Sequence, residues 1–357
     1  MKKLALIGCG LIGEYHLDHL IQFKDISLAG FCDVTLERAE KFVSRAGQGK
    51  AFTDYLQMYD SVKPDMVFIC VPPTCHGNIE FETIKRGIPF FAEKPISIDP
   101  DLAHEMKTQV EKNKIIAASG FQCRYDNIND AAKKFIKSKK ILTVQASRVG
   151  GIPQVPWWRN KVTSGGQLVE QTIHQMDMLR YLLGSEPDTV YSMNSRGYIT
   201  QKECPGYFTD DLSVTLIKFK NGVTATMLTG CYAQNGVCWE SKMTFGARDS
   251  RMDYVLTNKV TVYTKGTVGN TGAKTGSKGA GVVKGDGVQD TDPGEHEETT
   301  KSNIDFGLIC DRTFIDAAVT GDGSKIRSPY SDAYKSVLFT LACNKSMETG
   351  YPVTIGD

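Results

Sequence analysis

A short apolar run that ends in closely spaced glycines opens the chain and constrains its fold more than any other feature. Residues 4–8 read as a buried strand, and the motif Gly8-Cys9-Gly10-Leu11-Ile12-Gly13 leads into a helical pattern at residues 14–23. Glycines at this spacing allow a tight turn, a close approach to the backbone and close packing of helix on strand. The free N–H groups at such a helix N-terminus bind anions. We therefore predict a turn that binds dinucleotide phosphates through Gly8, Gly10, Leu11, Ile12 and Gly13.

Strand and helix patterns alternate along the first 120 residues. Short apolar runs that resemble buried strands occur at residues 26–32, 66–71, 89–92 and 115–120. Segments of helix length lie between them at residues 36–45, 79–86 and 102–113. Alternation of this kind is typical of a parallel sheet covered by helices on both faces. We therefore predict an α/β Rossmann domain over residues 1–122.

The pattern changes after residue 122. Strand candidates then follow one another without crossover helices, at residues 143–149, 190–193, 212–219, 224–231 and 242–245. Asn221-Gly222 is a strong hairpin signal between two of them, and one long helix is predicted over residues 166–183. The segment 264–303 is rich in Gly, Thr, Lys and Asp and reads as an exposed loop or β-ribbon. We predict an α+β domain over residues 123–357 with a largely antiparallel sheet.

Charge and cysteine content exclude several kinds of partner. The 42 basic residues nearly balance 41 acidic ones, so the chain has no field that would attract nucleic acid or anionic lipid. No stretch approaches the ~20 apolar residues of a membrane span. The ten cysteines are scattered without a CxxC pair and read as free thiols in a reducing compartment. We expect a cytoplasmic protein that binds neither nucleic acid nor membrane and has no metal site.

Asp33 indicates which dinucleotide the glycine turn binds. It ends the second predicted strand, 20 residues beyond Gly13. A carboxylate at this position accepts hydrogen bonds from the ribose hydroxyls and repels a 2′-phosphate, which favours NAD over NADP. Arg38 is close enough in sequence to weaken that preference, although its helical spacing also fits a side chain that faces solvent. We include both residues among the cofactor contacts.

Two further loops follow strand ends, where ligands bind in doubly wound sheets. The loop after residue 71 should pass near the nicotinamide half of the cofactor through Val71, Pro72, Thr74 and His76. His76 either contacts the cofactor or caps the next helix. The second loop is Glu93-Lys94-Pro95, in which a lysine before proline is held in an extended or turn conformation. Lys94 is then either an ammonium fixed at the site or an ordinary surface lysine.

The predicted helix after Gly165-Gly166 carries polar residues on one stripe, namely Glu170, His174, Asp177 and Tyr181. A histidine on such a stripe is often simply exposed. Here a carboxylate one turn away would orient His174 and raise its basicity, which suits proton transfer.

Upstream, Trp157-Trp158-Arg159 combines aromatic rings with a guanidinium. This cluster fits either a sugar-like or acidic ligand or a packed loop with a solvent-facing arginine.

These motifs together resemble the Gfo/Idh/MocA family, the group of glucose–fructose oxidoreductase and inositol dehydrogenase. The matching pieces are residues 8–13, Glu93-Lys94-Pro95, residues 165–177, and residues 314–317 followed by Gly321-Asp322. The resemblance implies an open, mostly antiparallel C-terminal sheet that supports a homodimer or homotetramer. It also implies that Lys94 bridges cofactor and substrate, that His174 is the general acid/base, and that Gln122 and Arg124 line the site. Glu170 departs from the pattern, since many members carry Asp there.

The resemblance implies an NAD(H)-dependent dehydrogenase acting on a secondary alcohol of a sugar, cyclitol or derivative. His174 would take the hydroxyl proton and Lys94 would stabilise the alkoxide, with Glu170 as the third catalytic residue. We expect cofactor contacts from Glu93, Lys94 and Gln122, and substrate contacts from Arg124, Trp157, Trp158, Arg159 and Asp177. Two alternatives stay open: an NAD-dependent glycoside hydrolase, and an NAD-binding regulator without catalysis.

Overall fold

The computed structural model describes residues 1–264 and 297–356. The N-terminal part forms a sheet of six parallel strands. They are β1 Lys2–Ile7, β2 Ile26–Cys32, β3 Lys50–Phe52, β4 Met66–Ile69, β5 Phe90–Ala92 and β6 Ala117–Ser119. Their order, β3-β2-β1-β4-β5-β6, is that of a Rossmann fold whose strand order reverses between β1 and β4. The predicted fold of this part is confirmed.

Helices cover both faces of this first sheet. They are α1 Leu11–Leu20, α2 Leu36–Ala46, α3 Tyr55–Val62, α4 Asn78–Lys85 and α5 Pro100–Lys112. Successive residues of β1 point in opposite directions, with Leu4 and Leu6 in one hydrophobic core and Ala5 and Ile7 in the other. Burial on both faces explains why the strand reads as an unbroken apolar run. The edge strand β3 is too short to give such a run, and the sequence does not predict it.

A nine-stranded sheet makes up most of the second part. Its strands are β7 Thr143–Val149, β8 Pro187–Ser195, β9 Leu212–Phe219, β10 Thr224–Gly230, β11 Glu240–Gly246, β12 Arg251–Val255, β13 Lys259–Tyr263, β14 Glu297–Lys301 and β15 Val353–Thr354. They lie in the order β14-β13-β12-β11-β7-β10-β9-β8-β15. The pair β7 and β10 is parallel, and the other neighbouring pairs are antiparallel. The mostly antiparallel sheet and the hairpin at residues 221–222 are thereby confirmed.

One face of the nine-stranded sheet is covered and the other is open. The helices of this region are α6 Ile128–Ser138, α7 Lys161–Ser164, α8 Gln167–Glu170 and α9 Ile173–Leu183. Helices α6 and α9 contribute residues to the core on the covered face. Strand β9 alternates, with Thr215 and Ile217 buried and Val214 and Leu216 exposed. The open face therefore carries apolar side chains.

The single helix expected over residues 166–183 is wrong. Gly165 and Gly166 both have positive φ angles, 76° and 85°, a conformation that glycine adopts without steric cost. Helix α8 then ends at Glu170, and α9 begins only at Ile173. The expected polar stripe is therefore broken. Glu170 and Asp177 are both buried.

The C-terminal helices return to the first sheet. Helix α10 spans Phe306–Thr320 and α11 spans Tyr330–Thr349. Phe314 of α10 enters the core on one face of the sheet, and Tyr330 and Val337 of α11 enter the core on the other. The end of the chain thus stabilises the fold that its beginning forms.

Two expectations concern segments at the limits of the described residues. Most of the predicted loop or ribbon at 264–303 falls on residues 265–296, which lie outside the described part, while β13 and β14 flank it as an antiparallel pair. Within residues 1–264 and 297–356, every helix is too short or too polar to cross a membrane.

Candidate active site

The glycine turn after β1 has the geometry that its motif predicts. Gly8 has φ +94°, and a Cβ there would overlap the carbonyl oxygen of Cys70. A Cβ at Gly13 would overlap the carbonyl oxygen of Gly8, so helix and turn pack too closely for any other residue. At Gly10 the described part of the chain leaves the corresponding space open and supplies no side chain that caps the N-terminus of α1. The first N–H groups of α1 are therefore free to bind a phosphate.

Asp33 is bonded to the glycine turn. Its Oδ2 accepts a hydrogen bond from the backbone N–H of Cys9 at 2.9 Å, and its Oδ1 accepts one from that of Thr35 at 2.9 Å. The two bonds fix the carboxylate at the carboxyl end of β2. Arg38 stands 3.9 Å from Asp33 with a side chain that is 61% exposed, so it is only loosely paired.

A cavity of about 590 Å³ opens beside the glycine turn. We call it the N-terminal cavity. It brings together ten of the predicted cofactor residues, namely Gly8, Gly10, Leu11, Ile12, Asp33, Arg38, Val71, Pro72, Glu93 and Lys94. Trp157 and Glu170 also line it. Residues from four separate loops thus converge at the carboxyl end of the parallel sheet, where ligands bind in this kind of fold.

Four residues predicted to contact the cofactor do not line this cavity, namely Gly13, Thr74, His76 and Gln122. The His76 imidazole is buried and bonds through Nδ1 to the Glu80 carboxylate, which also accepts the backbone N–H of Gly77 at 2.7 Å. His76 therefore stabilises the start of α4, close to its alternative interpretation as a capping residue. Thr74 is exposed in the short turn Pro73–Cys75. Neither side chain lines the N-terminal cavity.

Lys94 is held as an ammonium by Glu170. Its Nζ donates to Oε1 of Glu170 at 2.9 Å and to the backbone carbonyl of Glu170 at 3.0 Å. Burial alone would lower the pKa of Lys94, but the carboxylates of Glu170 and Glu93 outweigh burial and raise it. Burial would likewise raise the pKa of Glu170, but the Lys94 charge and hydrogen bonds lower it. Each group thus keeps the other charged.

The backbone before Lys94 is anchored through Glu93. Its Oε1 accepts hydrogen bonds from His16 Nε2 at 3.0 Å and from Gln122 Nε2 at 3.1 Å. On its other side, the buried His16 bonds to Asp311 at 2.9 Å. Burial would lower the pKa of His16, but Asp311 and Glu93 raise it to about 10. Gln122 is thus placed at the Glu93 carboxylate, and His16 is a site residue that the sequence analysis missed.

His174 lies in a second cavity of about 1350 Å³ against the nine-stranded sheet, which we call the sheet cavity. Its Nδ1 is buried and has no hydrogen-bond partner within residues 1–264 and 297–356. Burial and then the charges of Lys94 and Arg148 bring the pKa of His174 well below its usual range. The expectation that Glu170 raises the basicity of His174 is therefore wrong, because Glu170 bonds to Lys94 and the imidazole is neutral.

Two residues of the aromatic cluster are not placed as substrate contacts. Trp158 is fully buried, and its indole N–H donates to Oε2 of Glu170 at 2.7 Å. Arg159 donates to the carbonyl of Pro205 at 3.2 Å. Trp157 lines the N-terminal cavity. The expectation that all three contact substrate is corrected: Trp158 positions Glu170, and Arg159 holds a neighbouring loop.

Arg124 and Asp177 form a buried ion pair away from both cavities. Arg124 Nε donates to Asp177 Oδ2 at 2.7 Å, and the same guanidinium bonds to Asp332 of α11. Ser336 of α11 also donates to Asp177, at 2.6 Å. Neither Arg124 nor Asp177 lines the N-terminal cavity or the sheet cavity. Their expected substrate contact is therefore replaced by a structural role, because their charges join α9 to α11.

Comparison with known proteins agrees with this architecture. The profile of an oxidoreductase family with an NAD-binding Rossmann fold matches residues 2–121, and that of the family's C-terminal alpha/beta domain matches residues 133–355. Myo-inositol 2-dehydrogenase of Thermotoga maritima is 26% identical over 221 residues, 62% of this chain and 66% of that protein. The chain thus matches about two thirds of the length of this curated relative.

Solved structures show the same fold over the whole chain. Myo-inositol 2-dehydrogenase from Lactobacillus plantarum has a TM-score of 0.78 at 21% identity, covering 99% of each chain. A levoglucosan dehydrogenase in complex with NADH and levoglucosan has a TM-score of 0.80 at 19% identity, covering 100% of each chain. Because two profiles of one family match consecutive parts of the sequence and together span most of it, the chain belongs to the Gfo/Idh/MocA oxidoreductase family.

Proposed function

We propose that this protein is an NAD(H)-dependent dehydrogenase that acts on a secondary CH–OH group of a sugar, cyclitol or derivative. The observation that carries the proposal is that an ammonium fixed in the N-terminal cavity acts on the imidazole that lines the sheet cavity. Lys94 lines the N-terminal cavity, and its charge is close enough to His174 in the sheet cavity to lower the pKa of that imidazole. An alcohol bound there would find a cationic hydrogen-bond donor and a proton acceptor together.

The residues of the N-terminal cavity fit a bound NAD. The uncapped N-terminus of α1 and the open space at Gly10 would receive the pyrophosphate. Asp33 would bind the ribose hydroxyls of the adenosine half. When bound, the nicotinamide supplies hydride transfer, and the protein supplies position and charge.

The chain's own residues would handle the alcohol and its proton. His174 Nδ1 bonds to none of the described residues, so it can accept the hydroxyl proton as the C–H bond breaks. Lys94 would donate a hydrogen bond to the developing alkoxide, which is worth most where water is excluded. Glu170 keeps Lys94 charged and in place, with Trp158 bonded to the other carboxylate oxygen. Glu170 is therefore a positioning residue in this mechanism.

NAD is proposed over NADP because of the charge at Asp33. A 2′-phosphate would meet a carboxylate that is already fixed by two backbone N–H groups. Arg38 could pair with such a phosphate, but it is mostly exposed and 3.9 Å from Asp33. The like charges of Asp33 and a 2′-phosphate therefore decide the preference.

Assembly through the open face of the nine-stranded sheet belongs to the same proposal. Met193, Val214 and Leu216 on β8 and β9 are 64%, 44% and 51% exposed. Their burial between copies would remove adjacent apolar side chains from water, so we propose a homodimer or homotetramer formed by this face.

The division into domains at residues 1–122 and 123–357 stays a prediction. So does a cytoplasmic location, with which the ten free cysteines are compatible.

The proposal is tested by incubating the purified protein with NAD and a panel of sugars and polyols while NADH fluorescence is followed. Net NADH accumulation with at least one secondary alcohol supports the dehydrogenase. Release of a cleaved glycoside without net NADH would contradict it in favour of a hydrolase. Tight NADH binding with no turnover across the panel would favour a regulator instead.

A further inference from the structure

Three buried polar atoms for which the described residues supply no hydrogen-bond partner belong to residues that line the sheet cavity. They are Nη1 of Arg148, Nδ1 of His174 and Oε1 of Gln175. A buried polar atom without a partner costs on the order of 1–3 kcal/mol, and more when it is charged. Such atoms are rare in folded proteins unless a ligand, water or ion bonds them. Three of them at one cavity therefore mark a place where water or a polar ligand would complete the hydrogen bonding.

Arg148 is held rigidly at this cavity. It lies on β7 between Thr229 of β10 and Ser241 of β11. Its Nη2 donates to the side chain of Gln171, at the break between α8 and α9. A Cβ at Gly150 would lie 3.0 Å from Nη1. The guanidinium therefore packs against the backbone of Gly150, where a larger residue would crowd it. Nη2 is thus fixed by Gln171, whereas Nη1 has no hydrogen-bond partner among the described residues.

The carboxylates around the sheet cavity are bonded elsewhere. Glu203 accepts hydrogen bonds from Thr200, and Glu240 accepts one from Ser147. Glu170, whose charge acts on Arg148, forms its ion pair with Lys94. Among the described residues, Arg148 forms no ion pair. A half-buried guanidinium that lacks a paired carboxylate has a preference for an anionic partner.

We propose that the sheet cavity takes a sugar or cyclitol that carries an anionic group, a carboxylate or a phosphate, and that Arg148 binds this group through Nη1. The proposal rests on the proposed function for the alcohol that reacts, but the anion contact itself requires no turnover. Gln175 Oε1 accepts a hydroxyl of the same ligand, because Ser241 holds the amide nitrogen at 2.9 Å. Arg148 thereby distinguishes charged from neutral substrates.

The test measures binding to the NADH complex by calorimetry, with glucose, glucuronate and glucose 6-phosphate as probes. These share a pyranose ring and differ in charge. The variants are Arg148→Gln and Arg148→Lys. The control is Arg86→Gln, because Arg86 pairs with Glu82 of α4 and Asp60 of α3 and does not line the sheet cavity. NADH affinity close to that of the unaltered protein verifies that each variant is folded.

We expect one of the two anions to bind at least about tenfold more tightly than glucose, a difference of about 1.4 kcal/mol. The anion that does so shows whether the site takes a carboxylate or a phosphate. Arg148→Gln should abolish the difference, Arg148→Lys should retain part of it, and Arg86→Gln should leave it unchanged. Equal binding of all three probes, or a preference that survives Arg148→Gln, would overturn the proposal.

The same samples separate this proposal from the proposed function. Anion preference without NADH formation would contradict the dehydrogenase and leave the Arg148 contact supported. NADH formation from neutral alcohols alone, at rates that Arg148→Gln does not change, would support the dehydrogenase and overturn the Arg148 contact.

Discussion

The two cavities differ in how their polar groups are bonded before any ligand enters. In the N-terminal cavity, the carboxylates of Asp33, Glu93 and Glu170 all have partners inside the protein, and Lys94 is paired. In the sheet cavity, Arg148 and His174 each have a buried atom that no described residue bonds. The contrast teaches that the fold preorganises the proposed cofactor side, whereas the proposed substrate side is left to be completed by what binds there.

Removal of the Lys94 ammonium should have the largest effect on turnover. It tests whether the bonded groups of the N-terminal cavity take part in the reaction as well as in cofactor binding. We expect Lys94→Ala to lower kcat by about 10³-fold, because a donor to a developing oxyanion is worth on the order of 10²–10³. NAD affinity should change by less than about threefold, since the backbone N–H groups carry the phosphates. Steady-state kinetics and fluorescence titration measure the two quantities.

The control for Lys94→Ala is Lys85→Ala, an exposed lysine on α4 that pairs only weakly with Glu82 at 3.4 Å. It should leave both quantities unchanged. Because the Ala variant leaves Glu170 buried without its partner, Lys94→Arg serves as a second variant that keeps the charge. Turnover near that of the unaltered protein in Lys94→Ala would remove Lys94 from the mechanism.

Disruption of the glycine turn should affect binding more than chemistry. Gly8→Ala places a Cβ against the Cys70 carbonyl at a φ of +94°, so we expect NAD affinity to fall at least about 100-fold and the free energy of unfolding to fall by about 2–3 kcal/mol. Gly47→Ala is the matched control: φ is also positive, at +64°, but nothing lies within 4 Å of its Cβ. It should cost only about 1 kcal/mol and leave NAD affinity intact. Equal effects of the two changes would contradict this account of the turn.

The Trp158 indole should contribute a smaller effect through Glu170. Trp158→Phe removes the hydrogen bond to Glu170 Oε2 and leaves the Lys94 pair in place. A hydrogen bond to a charged group is worth about 1.5 kcal/mol, so kcat should fall by about tenfold. NAD affinity should hold. A raised KM with unchanged kcat would instead indicate that Trp158 contacts the substrate, as the sequence suggested.

Asp33→Asn should have a modest effect on cofactor choice. The amide no longer repels a 2′-phosphate, so the ratio of kcat/KM for NAD to that for NADP should fall by about tenfold. The turn should remain folded, because the amide oxygen still accepts one of the two backbone hydrogen bonds. An unchanged ratio would assign the preference to another residue, with Arg38 the first to examine.

The smallest effect concerns the dependence of kcat/KM on pH. The profile should show no inflection near the ordinary pKa of histidine. Because burial and the neighbouring cations lower the pKa of His174 well below its usual range, the imidazole stays neutral as the pH falls through the ordinary histidine value of about 6.5. His174 should therefore stay active as a base between about pH 6 and 8, so kcat/KM for alcohol oxidation should not fall in this range through its protonation. A loss of kcat/KM that follows a single ionisation near pH 6.5 would contradict the neutral imidazole.

The sequence predicts the N-terminal cavity better than the sheet cavity, for a physical reason. Gly8, Gly13 and Asp33 act through the backbone conformation and strand ends next to them, so a local pattern carries their role. The partner of Glu170 depends instead on a contact with Lys94, 76 residues away. That contact follows from the break after α8, which no local periodicity reveals.

Two site residues that the sequence motifs did not predict, Arg148 and His16, occupy unusual positions in the apolar pattern of their elements. Arg148 is in phase with Val144 and Ala146 on β7, both of which are buried, so a charge stands where the strand's alternation calls for an apolar side chain. His16 likewise lies on the buried side of α1, three residues after Gly13. A charged or ionisable residue on an otherwise buried face is a useful indication of a site.

Transfer of the carbinol hydrogen to the cofactor tests the central claim most directly. A substrate from the panel is labelled with deuterium at the carbon that carries the reacting hydroxyl and is incubated with NAD and the unaltered protein. The account predicts that NADH gains one deuterium at C4 of the nicotinamide for each alcohol oxidised. Product that forms while the NADH pool carries no deuterium would contradict the proposed dehydrogenase.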